Sequence, residues 1–236
     1  MLDDLNKQLK PLKAFHASSP DVALRELLNE GYSPIYAAKL AFLRASVPPE
    51  CPLWGVTYTT PSLVMKGKTR GGLDAVVVAH VPNYLSNPDN IESAIQDGLV
   101  DGYAKIPPEE FYQILEMENG KNVFVLSEQG YENYMNSHSG NLAELGYLSG
   151  NRFLAVRSVL LYPAAKPFLG GRKEARDYIT AHKRIYGSDF GIRHLLPEYE
   201  GPVGGFLSLG SSGTNSLQVV GLDYDACFIG IPKRRS

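Results

Sequence analysis

Leu2, Leu5, Leu9 and Leu12 keep a partly helical spacing that Pro11 interrupts, so residues 1–18 read as a loosely packed lead-in. Ser19-Pro20-Asp21 is a helix start, with a hydroxyl cap followed by Pro at the first helical position. Val22, Leu24, Leu27 and Leu28 form an apolar stripe that Gly31 ends. Ser33-Pro34 repeats the start signal. Ile35, Ala38, Leu40, Ala41 and Phe42 then line a second helix that must stop before Pro48-Pro49. The pattern predicts a helical hairpin over 19–46.

Beyond it the periods alternate. Residues 54–59 have β-prone, alternating character. The nearly continuous apolar run 73–81 predicts a strand buried on both faces. Asn87-Pro88-Asp89 caps a short helix to about Asp97, and Pro107-Pro108-Glu109-Glu110 opens another carrying Phe111, Ile114 and Leu115. Asn119-Gly120 is a turn before a strand at 122–126. Helical segments follow near 128–136 and 140–148, then a strand at 153–162. The clearest amphipathic helix spans 170–186, with Ala175, Tyr178, Ile179, His182, Ile185 and Tyr186 on one face. Short strands at 205–209, 217–222 and 226–231, joined by short loops, predict an antiparallel meander.

The fold class is therefore α+β: an N-terminal helical hairpin, a central mixed sheet with helices, and a C-terminal antiparallel meander. We divide it into a helical N-terminal segment, 1–48, and an α+β main domain, 49–236. With 236 residues and 44% apolar composition, the chain can bury a core without staples.

Charge changes the picture more than composition does. Residues 1–149 hold 11 Lys/Arg and 18 Asp/Glu; residues 150–236 hold 12 and 7. In 89–118, eight carboxylates accompany a single lysine, Lys105. Such a bias suits a cationic partner or a solvated surface. The 14 tyrosines, against 9 Phe and 1 Trp, add groups favoured at protein interfaces. Asp97, Asp101, Glu109, Glu110 and Tyr112 are the candidate partner-binding residues.

Reactive chemistry finds little support. His16, His80, His138, His182 and His194 show no HExxH or HxH spacing, and two cysteines, Cys51 and Cys227, make neither a disulfide framework nor a zinc site. Glu50 beside Cys51 is the wrong charge to activate a thiol. No GxSxG elbow occurs. We expect no metal and no cofactor. The loop Gly210-Ser211-Ser212-Gly213-Thr214-Asn215 could cradle a phosphate through main-chain N–H groups, and Gly170-Gly171-Arg172-Lys173 opens a helix that could attract an anion. Arg172, Lys173, Ser211, Ser212 and Thr214 are the candidate ligand-binding residues. A hairpin loop and a solvated helix start explain the same residues. RNP-type aromatic signatures are missing, which argues against RNA. An acidic start without an apolar run predicts a soluble, cytoplasmic protein without a membrane span.

Two stretches carry resemblances. LRELLNEGYSPIYAAKLAFLR, residues 24–44, resembles a short helix-turn-helix pattern of immunity-type proteins, and is also similar in size and spacing to ubiquitin-associated-like helical hairpins. IPPEEFYQILEMENG (106–120) with GGFLSLGSSGTNSLQVVGLD (204–223) resembles the scaffold of SUKH-type immunity proteins, although a full helix at 171–186 intervenes and the tryptophan-rich strand is missing. That resemblance implies a non-catalytic inhibitor that binds a toxin.

The sequence thus predicts a non-catalytic intracellular protein-binding module, immunity-like, with an acidic, Tyr-rich face for a cationic protein partner. Its rivals are an enzyme or sensor of a small phosphorylated ligand, and a structural subunit of a phage or other assembly. The ligand reading requires both glycine loops to converge on one concave pocket.

Overall fold

The computed structural model describes residues 2–127, 152–156, 166–187, 190–194, 196–211 and 217–233. The predicted helices at 128–136 and 140–148 lie outside them. Seven helices are described: α1 Leu2–Leu9, α2 Pro20–Asn29, α3 Ala37–Ala45, α4 Pro88–Gln96, α5 Pro108–Glu116, α6 Lys166–Leu169 and α7 Arg172–Tyr186. Eleven strands make one mixed sheet: β1 Lys13–Ala17, β2 Tyr32–Pro34, β3 Tyr58–Lys68, β4 Asp74–Ala79, β5 Ala104–Lys105, β6 Val123–Ser127, β7 Arg152–Val156, β8 Phe190–His194, β9 Val203–Leu209, β10 Leu217–Val220 and β11 Ala226–Pro232. The main path is β1-β11-β3-β9-β10-β8-β7. To it β2 adds on β11, β4 on β3, β6 on β4 and β5 on β9. The α+β class is what the sequence predicted.

The sheet is covered on both faces, and strand alternation decides which side chain goes where. In β4, Val76 and Val78 enter a core built with α3, α6 and α7. Ala75, Val77 and Ala79 enter a second core built with α2, α4 and α5. The run 73–81 is thus buried on both faces from Ala75 onward, held between β3 and β6.

Three expectations change. Residues 13–17 are not lead-in but strand β1, paired antiparallel with β11 from Lys13↔Gly230 to Ala17↔Ala226. Both N-terminal helices form, but not as a packed hairpin. Between them β2 crosses the sheet on β11, so Leu24 and Leu27 of α2 lie in one core and Leu40 and Ala41 of α3 in the other. The stretch 24–44 that resembles a two-helix unit therefore spans both layers. Finally, β9 and β10 form the predicted antiparallel pair, but β11 does not continue the meander. β3 occupies the position beside β9, and β11 lies beyond it, parallel to β3 and antiparallel to β1.

Two buried polar groups knit the layers. Arg44, fully buried in α3, donates to the carbonyls of Leu53 (3.0 Å), Val56 (2.6 Å) and Gly210 (2.7 Å), and to the Tyr178 hydroxyl (3.2 Å). Its guanidinium lies 5.5 Å from the Trp54 ring centre and 5.6 Å from that of Tyr58. Trp54 stacks on Tyr178 of α7 at 5.5 Å, and the Tyr186 hydroxyl donates to the Trp54 carbonyl at 2.6 Å. The second group is His80. Pro61 interrupts β3, and the register shifts between Thr59 and Leu63. There Ser62 accepts from the Ala37 N–H (2.8 Å) and meets His80 Nδ1 (2.8 Å), while His80 Nε2 meets the Pro167 carbonyl (2.7 Å). A carbonyl only accepts, so Nε2 carries the proton and Nδ1 accepts from the Ser62 hydroxyl. This buried serine–histidine pair joins α3, β3, β4 and α6, and every partner is satisfied.

Burial pushes His80 down from 6.5 to about 4, against the raising effect of the Pro167 hydrogen bond. The unfolded chain binds a proton at this site near 6.5 and the folded chain only near 4. Its contribution is therefore full above about 6.5 and is lost as pH falls toward 4, about 3 kcal/mol in all. Denaturant unfolding at several pH values should show that loss in the native chain, and a slope shallower by that amount in His80→Gln. Equal slopes would contradict the assignment. Arg44→Met preserves volume but strips donors from three buried carbonyls, and should cost about 2–4 kcal/mol in the same assay.

Candidate functional site

Where the ends of β1, β11, β3, β9 and β10 approach one another, a cleft of about 1450 Å³ opens. Register explains its floor. Ser208 of β9 pairs with Thr59 of β3 on one side and Gln218 of β10 on the other, so three polar side chains form a row across three strands. Phe206 and Val220 add apolar surface beside them, and Leu2 and Leu5 of α1 form a separate apolar wall with Pro52.

The rim depends on two loops lying in contact. Residues 100–103 form a tight turn in which Val100 and Tyr103 exchange both main-chain hydrogen bonds at 2.9 Å. Asp101 sits at its tip with φ +48, a left-handed conformation that Asp tolerates better than most residues. The turn rests on the β10–β11 connection. Leu222 N–H donates to the Gly102 carbonyl at 2.7 Å, and the Tyr103 hydroxyl donates to the Val219 carbonyl at 3.2 Å. A Cβ at Gly221 would lie 2.3 Å from the Gly102 oxygen, and one at Gly102 only 2.6 Å from the Asp223 carboxylate. Only glycine permits this approach.

Asp101, Asp223 and Asp225 consequently share one rim with Tyr224, whose side chain is 64% exposed. No lysine or arginine occurs among the described lining residues. The site is electronegative. Among the described lining residues, burial pushes the Cys227 thiol up to about 11, so it stays protonated at neutral pH. Among the described residues no three His, Cys, Asp or Glu side chains converge as metal ligands.

Of the predicted partner residues, Asp101 alone lines the cleft. The acidic stretch proves to be partly neutralised by distant cations. Arg25 of α2 binds Asp89 (2.6 Å) and Glu92 (2.8 Å). Arg70, in the β3–β4 turn, binds Glu109 (3.2 Å) and Glu116 (3.7 Å) and lies 4.2 Å over the Tyr112 ring. Asp97 and Glu110 form no ion pair among the described residues. Both act on the Tyr84 phenol, which burial first, and then these two carboxylates, hold above its ordinary range.

Of the predicted ligand residues whose side chains are described, neither Lys173 nor Ser211 lines the cleft. Lys173 is exposed and pairs with Asp177 at 2.6 Å, and that hydrogen bond holds the Asp177 carboxyl below its usual range. Ser211 N–H donates to Thr57 Oγ1 at 3.2 Å. Ser212, Thr214 and the Arg172 side chain lie outside the described residues. Neither Gly170 nor Gly171 lines the cleft. Sequence reasoning missed Asp223, Tyr224 and Asp225 as site residues. It took them for a connecting turn, although an aromatic between two acids in a turn is itself a surface signal.

Among the described residues no helix is long and apolar enough to cross a membrane. No family model matches the chain, and neither does any curated protein. The chain is similar to a solved structure described as "Accommodation of massive sequence variation in Nanoarchaeota by the C-type lectin fold". The two are 29% identical with a TM-score of 0.78, and the match covers 93% of this chain and 97% of that one. The mixed sheet and flanking helices described above are thus matched by a protein of the C-type lectin fold, a fold commonly used for protein or ligand binding.

Proposed function

We propose that this protein is a non-catalytic binding module that takes a cationic segment of another protein into the cleft between the 100–103 turn and the β10–β11 connection. The carrying observation is the rim itself: three aspartates and an exposed tyrosine with no lysine or arginine among the described lining residues. Its volume of about 1450 Å³ exceeds the several hundred cubic ångströms typical of small-molecule pockets, which favours a stretch of polypeptide. Tyrosine supplies apolar contact area at low entropic cost, and the carboxylates supply charge complementarity. The solved structure's description supports this reading, since it credits the same fold with accommodating massive sequence variation. In this chain the rim stands on two loops, whereas the scaffold rests on buried strands.

A library of ten-residue peptides displayed on phage and selected on the full chain tests the proposal. Selected peptides should be enriched in Lys and Arg, and their affinity should fall as salt rises. Asp101→Asn with Asp225→Asn should weaken them about fivefold per charge while changing stability by less than about 0.5 kcal/mol. Peptides without cationic enrichment, or with unchanged affinity for the double variant, would place binding on other chemistry.

A further inference from the structure

Strand β1 borders the cleft, and among the described residues no strand pairs with its second edge. Its other edge is paired with β11, and antiparallel pairing turns the main-chain groups of alternate residues outward. The Asn6 side chain identifies which ones. Its amide nitrogen donates to the Ala14 carbonyl (3.1 Å) while its oxygen accepts from the Ala14 N–H (2.7 Å). One amide thus satisfies both outward groups of Ala14, as a neighbouring strand would. Two residues along, His16 points its N–H and carbonyl the same way. Among the described residues nothing pairs with them, and His16 is exposed and lines the cleft. Asn6 stands on α1, of whose residues only Leu9 is buried, and Leu2 and Leu5 of the same helix form a cleft wall.

We infer that the partner segment binds as an added strand on the β1 edge, pairing with the outward main-chain groups of His16 and displacing the Asn6 amide from Ala14. This rests on the cleft reading above and specifies its mode. Strand addition draws affinity from main-chain hydrogen bonds and specificity from alternate side chains. Here the segment would run from the edge at His16 toward the acidic rim, so that its backbone is read at β1 and its cationic residues by Asp101, Asp223 and Asp225. The Asn6–Ala14 end of the edge adjoins a separate groove lined by Lys7, Lys10 and Lys13, so the cationic residues belong at the His16 end. Asn6 guards the edge when no partner is present, a device against unwanted edge pairing.

The test uses the same phage-selected ten-residue peptides on the full chain. His16→Pro removes the outward N–H at an edge position where proline is tolerated, so the fold should persist, as read by Trp54 fluorescence and the melting temperature. Peptide binding should fall tenfold or more in His16→Pro and clearly less in His16→Gln, which changes the cleft-lining side chain but keeps the main-chain donor. Asn6→Ala should speed hydrogen exchange at the Ala14 amide and tighten peptide binding. In the native chain, bound peptide should slow exchange at His16. Peptides that respond to Asp101→Asn and Asp225→Asn but bind His16→Pro like the native chain would overturn strand addition and leave the cleft reading standing. Failure to select any peptide would overturn both. Concentration-dependent dimers abolished by His16→Pro, without peptide binding, would assign the edge to a second copy and overturn the inference.

Discussion

A guanidinium with no carboxylate partner among the described residues sits at the centre of this fold. Arg44 is removed from water, and what compensates it is the negative end of main-chain dipoles: the carbonyls of Leu53 and Val56 after the first proline-rich loop, and of Gly210 at the end of β9. Val56 and Gly210 lie outside the helices and strands, and Leu53 sits in a single 3-10 turn. The charge needs the loops to be where they are, and the loops need the charge to satisfy their oxygens. Trp54 and Tyr58 close the site with aromatic faces that tolerate a cation, and the Tyr178 hydroxyl accepts a further guanidinium N–H. The segment 52–57 held in this way goes on to supply one wall of the cleft. Cleft wall and buried charge are therefore mechanically connected.

The opposite wall is organised by close approach rather than by charge. Gly102 and Gly221 let two turns touch, and that contact brings three aspartates onto one rim despite their mutual repulsion. The cost of such exposed like charges is small at physiological salt, a few tenths of a kcal/mol per pair, so packing decides the geometry and electrostatics accepts it.

Much of this architecture was legible in the residues. Capping signals located α2, α4 and α5, amphipathic spacing located α7, and the apolar run at 73–81 identified a strand covered on both faces; the Ser33-Pro34 signal falls in β2 instead, and α3 starts later, at Ala37. What could not be read was partnership at a distance. Nothing local marks 13–17 as a strand, because its reason to be extended is β11, at the other end of the chain. The two N-terminal helices looked like one hairpin because capping rules see each helix and not the three-residue strand that carries the chain across the sheet. The acidic stretch looked unrelieved because Arg25 and Arg70 lie outside it in sequence. At the site, Asp101 was singled out for its charge, while Asp223 and Asp225 passed as turn residues. Their significance appears only when the 100–103 turn is seen resting against them.

The pairing of β1 with β11 also constrains how the molecule is made. Bringing Lys13 beside Gly230 closes a loop of roughly 200 residues, which carries an entropic cost of about 5 kcal/mol before any local reward. The β3–β4 pair closes within a few residues, and β9 with β10 nearly so. A chain built this way assembles its centre early and leaves a vacancy between β1 and β3 until β11 arrives. During that interval β1, and the edge it lends to the cleft, has no partner on either side. The cleft, which takes one edge from β1, is thus completed only by the pairing that joins the two ends of the chain.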